Sequence, residues 1–245
     1  MGDIELPAET KAVWNHIQDW DVELFGEEVL DTASQDRWSL AMAIAGGLPY
    51  MWRDLARPIC DIAYGLLELR EGDRVLIIGE CVGPARWAED MAELVGPTGK
   101  VDVVEIIQEG RRHVLEGIRG RNGIRGCWQW TYTHGLPDEH YDVVAVMQST
   151  QHCDDWSETG PELLRVMKPG RRIVFAEISF GGPRFAARVD ADLHIRQWHD
   201  KIGLPEGIPY YTGEDLLESF GTDSLDDPQV LEWKGMEMMW GRKPR

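Results

Sequence analysis

Apolar residues along this chain follow two rhythms. Between residues 8 and 70 they recur at helical spacing, and in "AETKAVWNHIQDW" Val13, Ile17 and Trp20 share one face. "WSLAMAIAGGLPYMWRDLARPICDIAYGLLEL" supplies two more helical segments, divided near Gly46-Gly47 and again around Pro58. From residue 70 onward, short apolar runs alternate with amphipathic ones. "DRVLII" (73–78) predicts a fully buried strand after the turn "REGD". "PARWAEDMAELVG" predicts a helix that begins at Pro84, ends at Gly96 and carries Trp87, Met91 and Leu94 on one face. Further strands are predicted at "GKVDVVEI" (99–106), "CWQWTYT" (127–133), "YDVVAVM" (141–147) and "RRIVFAEI" (171–178). The helix "QEGRRHVLEGIRG" follows the second strand, and the helix "ETGPELLRVM" with the turn "KPG" precedes the fifth.

Apolar strands separated by helices imply a parallel sheet covered on both faces. After the fifth strand comes a helical insertion, about 180–228, containing "RFAARVDADLHIRQWHDKIG". A later helix opens at Thr212 with Asp215 three residues on, the pattern of a capping box. "QVLEW" and "MEMMWGRK" flank a Lys-Gly turn and predict an antiparallel hairpin at the sheet's edge. The expected fold is therefore α/β, a Rossmann-like, doubly wound, mostly parallel sheet with a terminal antiparallel hairpin. Residues 1–69 form an N-terminal helical extension that supplies a lid or oligomer contacts, a homodimer through these helices among them. Residues 70–245 form the main domain.

Charge narrows the partners. The formal net charge is −18, with nine Asp/Glu and one Lys in residues 1–35, and eight Asp/Glu with no Lys or Arg in residues 205–232. Nucleic acid, whose binding rests on Lys and Arg displacing counterions, is not expected as a partner. Nor is a membrane, because the longest apolar stretch is broken by Gly-Gly and Pro and is too short to span one. The acidic start lacks the features of a signal peptide, and four scattered cysteines read as reduced thiols, so a cytoplasmic location is expected.

In an open parallel sheet, ligands bind beyond the carboxyl ends of the strands where strand order reverses. The turn after the first strand, Gly79-Glu80-Cys81-Val82-Gly83-Pro84, supplies only the first glycine of the dinucleotide pattern G-x-G-x-x-G. It fits the S-adenosylmethionine turn h-h-D/E-h-G-x-G-x-G better: Gly79 and Gly83 match, while Ile77 replaces the acid and Cys81 the middle glycine. Glu105 ends the second strand, 22 residues after Gly83, where a carboxylate can accept hydrogen bonds from both ribose hydroxyls. "LPDEHYDVVAVMQSTQHCDDW…ELLRVMKPGRRIVFAEI" resembles the fourth-to-fifth-strand block of class I S-adenosylmethionine-dependent methyltransferases. It is similar in particular to the family of the quinone-biosynthesis C-methyltransferases and many small-molecule O-methyltransferases. There "LP…FDVV", a polar segment ending in His and "LKPGG" occur in this order. The passage "LVGPTGKVDVVEI" matches as well, and the likeness covers roughly residues 70–180.

The resemblance implies S-adenosyl-L-methionine as cofactor. Its contacts would come from Gly79, Glu80, Cys81 and Gly83 of the turn, Glu105, Tyr132 and Thr133 after the third strand, and Met147 and Gln148 after the fourth. Glu80 would stand in for the acid lost at Ile77. Methyl transfer to oxygen also requires removal of a proton, a task suited to histidine. His152, in the polar segment beyond the fourth strand, is the first candidate; His194, at i, i+4 spacing from Trp198 in the insertion, is the second. Packing of the loop would account for His152 equally, and a partly buried surface helix accounts for His194 better than a catalytic role does.

"HCDD" (152–155) is a poor ligand set, mixing soft and hard donors on adjacent residues, so no metal is expected. Cys81 lies before a helix N-terminus, which favours a thiolate, but no base partner can be assigned to it. Tryptophans in the N-terminal helices and the insertion suit a small hydrophobic or aromatic substrate, and core packing explains many of them too. Three functions stay open: a small-molecule O- or C-methyltransferase; an enzyme of this fold diverged to a lyase, hydrolase or cyclase reaction; and a non-catalytic partner subunit.

Overall fold

A computed structural model describes residues 57–79, 86–105, 123–128, 135–150, 153, 155–178, 211–233 and 236–245. The helices expected within residues 8–56, at 108–120 and in 184–203 lie outside the described residues, as does the Lys234-Gly235 turn. Within them the chain runs α1 (Arg57–Leu67), β1 (Arg74–Ile78), α2 (Arg86–Val95), β2 (Lys100–Glu105), β3 (Ile124–Trp128), β4 (Tyr141–Met147), α3 (Trp156–Val166), β5 (Met167–Ile178), α4 (Gly213–Phe220), a 3-10 turn (Thr222–Ser224), β6 (Asp226–Trp233) and β7 (Met236–Arg242).

The seven strands form one sheet in the order β3-β2-β1-β4-β5-β7-β6. The first five are parallel; β7 joins β5 antiparallel, and β6 completes the hairpin at the edge. Strand order therefore reverses between β1 and β4, and the doubly wound, mostly parallel fold with its terminal hairpin is as expected.

Period-two alternation gives the sheet two apolar faces. On one, Leu76, Ile78, Val104, Val144, Val146, Ile173, Phe175 and Met239 pack in a single core with Trp156, Leu163 and Val166 of α3 and Leu216 and Phe220 of α4. Phe175 meets Trp156 and Phe220 edge-on, with ring centres 5.2 and 5.7 Å apart. The alternate residues, among them Val75, Ile77, Val103, Ala145 and Val174, are equally buried. Trp87, Met91 and Val95 of α2 and Ala63 and Leu67 of α1 are buried as well and stand outside the α3/α4 core.

Three strands differ from expectation, and β6 is one of them, beginning at Asp226 rather than Gln229. β3 begins at Ile124 rather than 127, because Gly123 (φ +86°) turns the chain and its carbonyl accepts from Val101 N, starting the ladder with β2 three residues early. An edge strand tolerates the polar Arg125 that disguised this start. β5 begins at Met167, which pairs with Tyr141; Arg172 then pairs with Val143, so Lys168-Pro169-Gly170 bulges within the strand instead of preceding it. The capping box at Thr212 is present: Thr212 Oγ1 accepts from Asp215 N (3.0 Å) and Asp215 Oδ2 from Thr212 N (2.8 Å). Among the described residues, no helix is long and apolar enough to cross a membrane.

Charged residues tie the amino ends of the strands together. Asp142 accepts from Lys168 Nζ (2.8 Å) and Arg74 N (3.0 Å), and Arg171 bridges Asp73 (2.7 Å) and the Asp142 carbonyl (3.0 Å). Burial works to raise the Asp142 carboxyl, but Lys168 and the Arg74 N–H outweigh it and hold it below the usual aspartate range. The depressed value means that this contribution is present above pH 3.8 and is lost as pH falls further. Asp142→Asn is expected to lose about 1–3 kcal/mol in urea unfolding at pH 7, with the gap from the native protein closing toward pH 3.

Candidate functional site

The point where strand order reverses is built by the end of β1 and the segment leaving β4. Gly79 follows β1 with φ +79°, a conformation that only glycine takes without strain, and its N–H reaches Val104 O at 3.0 Å. A Cβ placed on Gly79 would lie 2.5 Å from Ser149 Cβ and 2.7 Å from Met147 O. The first glycine of the turn is thus demanded by the protein's own β4 segment, whichever ligand lies beyond it.

That segment is fixed residue by residue. Met147 ends β4 fully buried. Gln148 is buried with φ +49°, and its N–H donates to Ala176 O on β5 at 2.9 Å. Ser149 Oγ donates to Ile78 O at 3.2 Å. Thr150 donates twice to Glu177 Oε2, from N (3.0 Å) and Oγ1 (2.6 Å), and its carbonyl accepts from Cys153 N at 3.1 Å. Asp155, part of the "HCDD" run, caps α3: its Oδ1 accepts from Ser157 N (2.8 Å) and Oγ (2.6 Å).

Of the residues expected to touch a cofactor, Gly79, Met147 and Gln148 come together here. Glu105 closes β2 one residue beyond Val104, which pairs with Ile78, so its backbone lies beside Gly79 on the neighbouring strand, about 4.8 Å away. Glu80, Cys81, Gly83, Tyr132, Thr133, His152 and His194 lie outside the described residues. Among the described residues, no group of three or more His, Cys, Asp or Glu is arranged to hold a metal ion. A hollow lined by Arg74, Lys100, Asp102, Gly123 and Ile124 sits at the amino ends of β1–β3, the opposite end of the sheet from the reversal point.

Sequence reasoning missed Glu177. It is 4% exposed, and burial pushes its carboxyl up to about 7 despite the two Thr150 hydrogen bonds that pull it back down. Directly opposite on β7 stands Glu237, also buried, whose Oε2 accepts from Gly213 N at the start of α4 (3.3 Å). The signal was an acid inside each of two apolar runs, "IVFAEI" and "MEMMW", where alternation places both on a covered face.

A family model described as a methyltransferase domain matches residues 82–175. The ubiquinone/menaquinone biosynthesis C-methyltransferase UbiE of Ectopseudomonas mendocina (strain ymp) is 28% identical over 154 residues, 60% of this chain and 55% of that protein. The chain therefore spans about half the length of the curated relatives it matches. Among solved structures, a SAM-dependent methyltransferase from Aquifex aeolicus superposes with a TM-score of 0.54 at 17% identity, over 77% of this chain and 93% of that one. The [4+2]-cyclase SpnF superposes with 0.57 at 17% identity, over 79% and 82%. These two likenesses establish the fold. The chain thus matches a methyltransferase domain over residues 82–175, is similar over part of its length to the C-methyltransferase UbiE, and has the fold of class I S-adenosylmethionine-dependent methyltransferases.

Proposed function

We propose that this protein transfers a methyl group from S-adenosyl-L-methionine to oxygen or carbon of a small, hydrophobic or aromatic molecule. The observation that carries the proposal is the meeting of three strand ends at the reversal point: Gly79 closed against Ser149, with Glu105 alongside on β2. Bound there, the cofactor supplies an electrophilic methyl on a sulfonium. The chain's own residues bind and orient. The Glu105 carboxylate would accept from the ribose hydroxyls, Gly79, Glu80, Cys81 and Gly83 would hold the methionine and ribose, Tyr132 and Thr133 would hold the adenine, and Met147 and Gln148 would flank it from β4. His152, with His194 as the alternative, takes the proton from an oxygen acceptor. The relative named as a C-methyltransferase makes activated ring carbon the other acceptor class, and hydroquinones and phenols the first panel to assay. The net charge of −18 disfavours nucleic acid as acceptor.

Titration calorimetry with S-adenosylhomocysteine tests this reading. Micromolar binding is expected, weakened about tenfold or more by Glu105→Ala through loss of the charge-assisted ribose bonds. Binding unchanged by Glu105→Ala contradicts the site. A second reading, a reaction other than methyl transfer, is favoured by Cys81 and Ile77 in the turn and by a cyclase that shares the fold. Cofactor binding without methyl turnover across the panel would select it. No binding at all would select the non-catalytic subunit.

A further inference from the structure

We propose that Glu177 is a positioning residue for the segment leaving β4, holding residues 148–150 at the reversal point and so setting where Gln148 stands. The importance of that segment for transfer rests on the reading of the site above; the hydrogen bonds that hold it do not.

Three consecutive residues are tied to three different places. Gln148 N binds the β5 backbone, Ser149 Oγ binds the β1 backbone, and Thr150 binds the Glu177 side chain through both of its donors. Gln148 sits in the left-handed region, which a non-glycine residue occupies only when its surroundings over-determine it. The segment lies so close to Gly79 that a Cβ there would fall 2.5 Å from Ser149 Cβ and 2.7 Å from Met147 O. The Glu177 tie is the only one of the three that depends on an acceptor side chain.

Position 177 is an unexpected place for a carboxyl. Ile173 and Phe175, four and two residues earlier on the same side of β5, belong to the apolar core, and Glu177 continues that column toward the carboxyl end of the sheet. Leaving a carboxyl there is costly unless it is hydrogen-bonded. Only one of its oxygens is used: Oε2 takes both Thr150 bonds, whereas Oε1 has no partner among the described residues. A side chain kept for packing would be apolar; one kept to orient a single neighbour would spend its acceptor on that neighbour, as here. Among the described residues, the titratable group facing it is Glu237 on β7, which performs the same service for the first N–H of α4. The two carboxyls thus fasten, side by side, the segment after β4 and the helix that follows residues 179–210.

The test combines amide hydrogen exchange of a peptide covering 147–153 with S-adenosylhomocysteine calorimetry on the full chain. Glu177→Ala is expected to speed exchange at 148–153 about tenfold or more and to weaken binding by a similar factor. Thr150→Val, which keeps its N–H, gives an intermediate effect. Glu177→Gln and Thr150→Ser, which keep the acceptor oxygen and the hydroxyl donor, stay within about twofold of the native protein on both readouts. Should Glu177→Ala fail to fold, Thr150→Val against Thr150→Ser decides alone. Exchange unchanged in Glu177→Ala or Thr150→Val, or Glu177→Gln as damaging as alanine, overturns the proposal. A native protein that binds no S-adenosylhomocysteine, while exchange responds as stated, upholds the positioning role and removes the cofactor reading instead.

Discussion

Gly79→Ala is expected to destabilise the protein by about 3 kcal/mol, and to abolish S-adenosylhomocysteine binding in whatever fraction remains folded. Two costs add. The backbone at φ +79° is one in which an L side chain is strained by about 1–2 kcal/mol. The new methyl would also overlap Ser149 Cβ at 2.5 Å and the Met147 carbonyl at 2.7 Å, and neither neighbour can give way easily. Ser149 is tied to Ile78 O and lies between two further tethered residues, so relief requires displacing the whole segment, at about 1–3 kcal/mol for overpacking of this kind. Gly65→Ala serves as the control. Nothing lies within 4 Å of a Cβ there, and the position is in the exposed interior of α1, so the change should stabilise by up to about 1 kcal/mol. Urea unfolding followed by tryptophan fluorescence measures both. A loss at Gly79 below about 1 kcal/mol would mean that the β4 segment moves freely, against the geometry described above.

The second large effect is on pH dependence. In the folded protein the Glu177 carboxyl titrates at about 7, against 4.5 for an ordinary glutamate, because burial disfavours the charged form. Between those two values the native state keeps a proton that the unfolded chain has released, so stability falls as pH rises. The effect is fully developed once pH exceeds the folded value, and 2.5 pH units correspond to about 3 kcal/mol. Glu177→Gln carries no such proton and can still accept from Thr150. Relative to the native protein, the variant is therefore expected to gain stability by about 3 kcal/mol from pH 4.5 to 7.5 and to gain nothing more above that. Parallel stability curves for the two proteins over this range would show that Glu177 titrates normally and that its burial is relieved in solution.

Much of the scaffold is legible along the chain because burial on both faces writes itself as uninterrupted apolar runs. "VLII" and "YDVVAVM" became β1 and β4 within a residue of their predicted ends, and Thr212 with Asp215 announced α4 through a purely local hydrogen-bond exchange. β3 was misplaced because its aromatic stretch outshone the true start at Ile124-Arg125, whose strand character comes from pairing with β2 rather than from local pattern. Lys168-Pro169-Gly170 read as a free turn since proline and glycine punctuate most sequences; only the register of β4 against β5 turns it into a bulge.

The site divides in the same way. Gly79 and Glu105 stood out by their spacing along the chain, although the nearest cause of the glycine turned out to be Ser149, 70 residues away. Glu177 was invisible because its significance depends on Thr150, 27 residues earlier, and on Glu237 opposite it on β7. Spacing records contacts along an element. It does not record which buried acid answers which loop.

A crystal structure of the native protein soaked with S-adenosylhomocysteine tests the central claim most directly. The account predicts density at the reversal point between β1 and β4, with the ribose hydroxyls within hydrogen-bond distance of the Glu105 carboxylate and the nucleoside passing over the turn that starts at Gly79. A turn in which the Cys81 side chain fills that space, with no ligand density, would contradict it and leave only the scaffold.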